Sequence, residues 1–102
     1  MAGITTHVLD TAKGRPAANV RVTLVRDGQT LFEGATDNDG RARLLERAEP
    51  GTYRLTFAVG EYNPGGFFPE ATIVFRVDEP AQPHYHVPLL LSPFGYATYR
   101  GS

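Results

Sequence analysis

The feature that most constrains this chain is its punctuation. Every run of β-forming residues is short, and each is closed by glycine, proline or an Asn/Asp cluster before a helix-length period develops. Ile4 to Leu9 is rich in β-branched residues and ends in the Gly/Pro-containing stretch Asp10 to Pro16. Val20 to Leu24 alternates, which puts Val20, Val22 and Leu24 on one face. Asp27-Gly28 offers the positive φ angles of a tight hairpin, so Thr30 to Thr36 reads as the returning strand. Asp37-Asn38-Asp39-Gly40 makes a second turn before a short strand from Arg41 to Leu45. Tyr53 to Val59 alternates again after Pro50-Gly51. Gly60 to Pro69 reads as a loop with one helical turn near Glu61. Ala71 to Val77, His84 to Leu91 and Tyr96 to Arg100 complete about eight strands with at most one short helix. Such spacing predicts an all-β, antiparallel sandwich or barrel.

The 102 residues suit one domain, 1–102, and neither an internal repeat nor a linker divides them. A net charge of −1 with scattered basic residues argues against a nucleic-acid footprint. With no cysteine, disulfides, thiolate ligands and a cysteine nucleophile are excluded. Lys13 is the only lysine, which leaves little scope for lysine catalysis. Neither a signal-peptide pattern at Met1 to Ile4 nor an apolar run of transmembrane length is visible. The expectation is a cytoplasmic protein with no membrane partner.

The histidines are the first candidates for chemistry. His84 and His86 are two apart on an expected strand, so both project from one face while Tyr85 and Val87 take the other. His7 lies on the first strand. Three histidines can hold zinc with an open position for water, and a His-x-His pair with a distant third His suits that geometry. Satisfied structural histidines are the plainer alternative. Asp37-Asn38-Asp39-Gly40 begins like a calcium loop, but no Glu follows at the required spacing, so a plain turn is expected.

Two ends of the chain resemble the transthyretin-related 5-hydroxyisourate hydrolases. One is Thr6-His7-Val8-Leu9-Asp10-Thr11-Ala12-Lys13-Gly14-Arg15-Pro16-Ala17; the other is His84-Tyr85-His86-Val87-Pro88-Leu89-Leu90-Leu91-Ser92-Pro93-Phe94-Gly95-Tyr96, running into Tyr99-Arg100-Gly101-Ser102. Thr36 to Arg41, Gly51 to Leu55 and Phe67 to Glu70 also match, while the Gly60–Phe67 loop is shorter than the family pattern. The resemblance implies a transthyretin-like (prealbumin-like) β-sandwich that hydrolyses 5-hydroxyisourate to 2-oxo-4-hydroxy-4-carboxy-5-ureidoimidazoline in urate degradation, without metal or other cofactor.

On that resemblance His7, Arg41 and His86 take catalytic positions. Tyr99, Arg100, Gly101 and Ser102 join His7 and Arg41 in binding substrate, and His84 is not a primary actor. Histidine suits the base because its pKa is about 6.5, and arginine suits oxyanion stabilisation because it stays cationic with a planar fork of donors. Either His7 or His86 can be the base. Arg100 has a structural ion pair as its other reading. The resemblance further implies a homotetramer, a dimer of dimers, in which the apolar Pro88 to Leu91 run is interface rather than core. A non-enzymatic transthyretin-like or carboxypeptidase-regulatory-like binding module is the alternative, although carriers and modules of this fold typically lack His7, Arg41, His86 and the Tyr99–Ser102 end as a set.

Overall fold

The structure, a computed structural model, describes residues 2–101. Among these residues ten strands form two facing sheets, with one short helix between β6 and β7: β1 (Gly3–Asp10), β2 (Arg15–Pro16), β3 (Arg21–Arg26), β4 (Gln29–Ala35), β5 (Arg41–Leu45), β6 (Gly51–Phe57), α1 (Val59–Tyr62), β7 (Ala71–Val77), β8 (His84–His86), β9 (Leu89–Ser92) and β10 (Gly95–Thr98). The expected sandwich is present, and the single helical turn falls where the Gly60–Pro69 loop opens. No helix among the described residues is long and apolar enough to cross a membrane.

One sheet is an antiparallel ladder in the order β4-β3-β6-β7. Its inward rows come from alternation: Leu24 sits opposite Leu55, which sits opposite Ile73, and Val22 opposite Phe57, which sits opposite Ala71. Burying a side chain such as Leu55 or Phe57 stabilises the fold by about 1.5–3 kcal/mol. Tyr53 and Phe75, also partners in register, stack with ring centroids 5.7 Å apart. The Asp27-Gly28 hairpin has the positive φ angles, 52° and 76°, that its residues suggest.

The other sheet is organised around β1. Its first half is flanked by β5, antiparallel, and β8, parallel; its second half by β2, antiparallel, and β9, parallel, with β10 outside β9. Ile4, Thr6, Val8 and Asp10 point into the sandwich while Thr5 and His7 point out. Because the side-chain period of a strand is two, a one-residue slip would exchange those sets, so burial of Ile4 and Val8 also dictates the direction of His7.

Two expectations are corrected. His84 to Leu91 is not one strand: Pro88 has no N–H for the ladder, and the pairing breaks into β8 and β9. Side-chain hydroxyls bridge the gap, with the buried Thr6 Oγ1 donating to the Val87 carbonyl (2.6 Å) and the exposed Thr98 Oγ1 to the Pro88 carbonyl (2.8 Å). The Pro88 to Leu91 run is largely core within one chain, since Pro88, Leu89 and Leu91 are buried and only Leu90 turns outward. Leu89 and Leu91 continue the inward row of Tyr85 and Val87 and pair with the inward Val8 and Asp10, and only the additional burial of Pro88 departs from alternation.

Candidate active site

The outward face of β1 gathers the site. Across the β1–β5 ladder Thr5 is opposite Arg43 and His7 opposite Arg41; across the β1–β8 ladder Thr5 is opposite His86 and Gly3 opposite His84. Partners in register share a face, so Arg43, Thr5 and His86 form one row, with His7 and Arg41 in the row beside it. His84 lies over Gly3, where a Cβ would stand 3.2 Å from its Nδ1. Thr5, Asp37, Arg41, Arg43, His84 and His86 line a cleft of about 540 Å³, within the range of small-molecule sites.

Arg41 is aimed by the turn before it. Asp37 Oδ1 accepts the N–H groups of Asp39 (2.9 Å) and Arg41 (3.0 Å), and the Asp37 N–H donates to the Arg41 carbonyl (2.9 Å). The Arg41 N–H holds the Asp37 carboxyl below the usual carboxylate range, outweighing desolvation, helped by the Asp39 N–H and electrostatic coupling to Arg41 and His7. This carboxylate is engaged by its own turn, as a plain turn requires.

The histidines differ in their surroundings. His84 Nε2 and His86 Nδ1 both contact the Thr5 hydroxyl, at 3.0 Å and 2.8 Å, and their rings stack with centroids 6.3 Å apart. Partial burial lowers the His86 pKa, and electrostatic coupling to His84, His7 and Arg41 lowers it further. His86 is therefore a neutral imidazole at pH 7, able to accept a proton. His7 does not line the cleft of the single chain; its Nε2 is buried without a hydrogen-bond partner among the described residues. An unpaired buried nitrogen costs about 1–3 kcal/mol, a cost that a bound hydrogen-bonding group can relieve.

The C-terminal set divides. Gly101 pairs with His86 through its N–H to the His86 carbonyl (2.8 Å). Tyr99 and Arg100 instead line a separate groove beside Phe75, Tyr85 and Val87. There the Arg100 guanidinium lies 4.7 Å from the Tyr85 ring centroid, and no carboxylate pairs with it among the described residues. Ser102 lies outside the described residues. No three metal-ligating side chains come together among the described residues, so the histidines do not form the set that the zinc reading needs. His84, Thr5 and Arg43 belong to the cleft although sequence reasoning set the first aside and did not single out the others. The signal for Thr5 and Arg43 is their spacing, each two residues from His7 or Arg41 on a strand.

Comparison with known proteins converges on one family. The family model described as HIUase/Transthyretin family matches residues 4–101. A 5-hydroxyisourate hydrolase of Caulobacter vibrioides is 48% identical, covering all of both chains. The uric acid degradation bifunctional protein TTL of Arabidopsis thaliana is 46% identical over 97% of this chain, which spans only 37% of that longer protein. Among solved structures, Klebsiella pneumoniae 5-hydroxyisourate hydrolase superimposes with a TM-score of 0.92 at 36% identity, covering all of both chains. Sea bream transthyretin in complex with thyroxine gives 0.85 at 32% identity, covering 96% of this chain and 93% of the other.

Proposed function

The chain belongs to the HIUase/transthyretin family, and we propose that residues 1–102 act as one domain that hydrolyses 5-hydroxyisourate through His86, Arg41 and His7. The placement of Arg41 and His86 in a cleft of substrate size, with His7 on the same face of the sheet opposite Arg41, carries this reading. The substrate is a planar oxidised purine. His86, neutral and cleft-lining, takes a proton from water, and the resulting hydroxide adds to the C6 carbonyl. Arg41 stabilises the oxyanion with its fixed charge and forked donors. Collapse breaks the C6–N1 bond, N1 takes up the proton, and the ring-opened product carries a new carboxylate. His7 offers its unpartnered Nε2 to the substrate or to the neighbouring subunit. Gly101 packs on His86, and Tyr99, Arg100 and Ser102 complete substrate binding where a second subunit closes the site. No cofactor enters this scheme.

The assembly belongs to the same reading: a homotetramer, a dimer of dimers. Among the described residues the outer strands of both sheets are unpaired edges, and Phe67 and Phe94 are 69% and 79% exposed, surfaces that association covers. A monomeric mass at micromolar concentration would sink it.

The test is an ultraviolet assay in which urate oxidase generates 5-hydroxyisourate in the cuvette. The protein accelerates its decay with or without a chelator, and His86→Ala lowers turnover by about 10²–10⁴-fold with the circular dichroism and assembly unchanged. Folded parent protein without any acceleration overturns the reading and favours a carrier of the thyroxine-binding kind. Acceleration that the chelator abolishes moves the chemistry to a metal.

A further inference from the structure

Thr5 has a hydroxyl with a single proton and contacts two imidazole nitrogens, His86 Nδ1 at 2.8 Å and His84 Nε2 at 3.0 Å. It can donate to only one of them and must accept from the other; if both rings donated, its own proton would have no ring to bind. The protonation of the two rings is therefore linked through one oxygen. Which ring nitrogen of a histidine is basic depends on the hydrogen bond made by the other nitrogen. We propose that Thr5 is a positioning residue whose hydroxyl joins His86 and His84 in a relay, holding the His86 proton on Nδ1 so that Nε2 stays free to take a proton from water. The inference rests on His86 being the base.

The relay balances. At the start His86 carries its proton on Nδ1 and donates to Thr5 Oγ1, while the Thr5 hydroxyl donates to an unprotonated His84 Nε2. When His86 Nε2 takes a proton from water, the Nδ1 proton moves to Thr5 and the Thr5 proton to His84. His84 becomes the imidazolium, His86 is again neutral, and the hydroxide is on the substrate carbon. Reversal delivers a proton from His86 Nε2 to N1 as the C6–N1 bond breaks, and all three groups return to their first state. His84 suits the distal position because it is exposed, where water stabilises its charge. His86 is partly buried, and the charged or titratable groups around the pair are His7, Arg41 and Arg43, Asp37 at the turn and Arg100 beyond β10. Most of these are cationic, which disfavours lasting charge on His86 itself. Gly3 leaves the His84 ring room over β1.

Thr5→Val, Thr5→Ser and His86→Asn test it in the full chain. Valine keeps the β-branched shape of Thr5 without the hydroxyl; serine keeps the hydroxyl. The expected result is a kcat lowered roughly tenfold to hundredfold in T5V, a part of the 10²–10⁴-fold that a positioned base supplies. KM is nearly unchanged, and T5S restores most of the rate. Imidazole ¹⁵N shifts should report the Nδ1–H form of His86 in the parent and T5S, and its loss in T5V. A T5V protein with parental kcat and the parental His86 tautomer, beside an inactive H86N, overturns the relay alone. An H86N protein that keeps full turnover overturns the base assignment and the relay with it.

Discussion

Gly101 lies against the ring of His86 with no room for a side chain. Its N–H donates to the His86 carbonyl at 2.8 Å, and a Cβ built on it would stand 2.6 Å from Cδ2 and 3.2 Å from Cγ of that ring. The glycine is therefore a spacer that fixes where the imidazole can stand. Gly101→Ala should displace His86 and lower kcat by roughly tenfold or more, since small misplacements of a reacting group are costly. Its melting temperature should stay near the parent's because the ring can swing outward. Parental kinetics in G101A would show that the ring has slack.

Gly40 is constrained by backbone. Its φ is +75°, and a Cβ would meet the Val8 carbonyl oxygen at 2.5 Å and Pro16 Cβ at 3.0 Å. Its carbonyl also accepts the Val8 N–H at 2.7 Å. Gly40→Ala combines a left-handed φ with a backbone clash, so a loss of about 2–3 kcal/mol is expected by chemical denaturation. Because Arg41 follows directly, activity should fall in whatever folded protein remains. Unchanged stability would refute the account of this turn.

The pH dependence follows from His86. Partial burial, with His84, His7 and Arg41 nearby, holds its folded pKa below the ordinary value of about 6.5. The neutral base thus persists to lower pH than a free imidazole would, and the acid limb of kcat/KM should have its midpoint below about 6.5. The sign for stability is the same: between the folded and unfolded values the unfolded chain binds more protons. The contribution of His86 is therefore complete above about 6.5 and is lost as pH falls through its folded pKa. An acid limb centred above 6.5 would contradict this electrostatic picture.

Asp10 presents the carboxylate case. Burial pushes its pKa up, but hydrogen bonds from Tyr62 (2.7 Å) and the N–H groups of Lys13 and Ala12 (3.0 Å each) outweigh it and leave the carboxyl below its usual range. Its stabilisation is present above the unfolded value of about 3.9 and is lost as pH falls through the lower folded value. Tyr62→Phe should cost about 1–3 kcal/mol at pH 7 and progressively less as the solution is acidified through that window. A penalty independent of pH would mean that the hydroxyl acts by packing.

Much of the architecture was legible along the chain because period-two alternation and turn residues act locally. The Asp27-Gly28 hairpin, the strand faces and the outward direction of His7 all follow from neighbours a few residues apart. His84 and His86 on one face were equally readable, two residues apart on a strand. Other relationships needed the folded sheet. Thr5 touches both histidines across 79 and 81 residues of sequence, and the register of a parallel ladder between β1 and β8 leaves no mark in local sequence. Tyr99 and Arg100, contiguous with Gly101, line another groove beside Phe75, Tyr85 and Val87, a placement set by the path of the chain after β10 ends at Thr98. The Leu89 and Leu91 side chains are core because they stay in phase with Tyr85 and Val87 and pair with the inward Val8 and Asp10 of β1, an offset that only the assembled sheet fixes. Composition and spacing assign each residue to a face; which faces meet, and at what offset, depends on non-local packing and hydrogen bonding that only the assembled sheets supply.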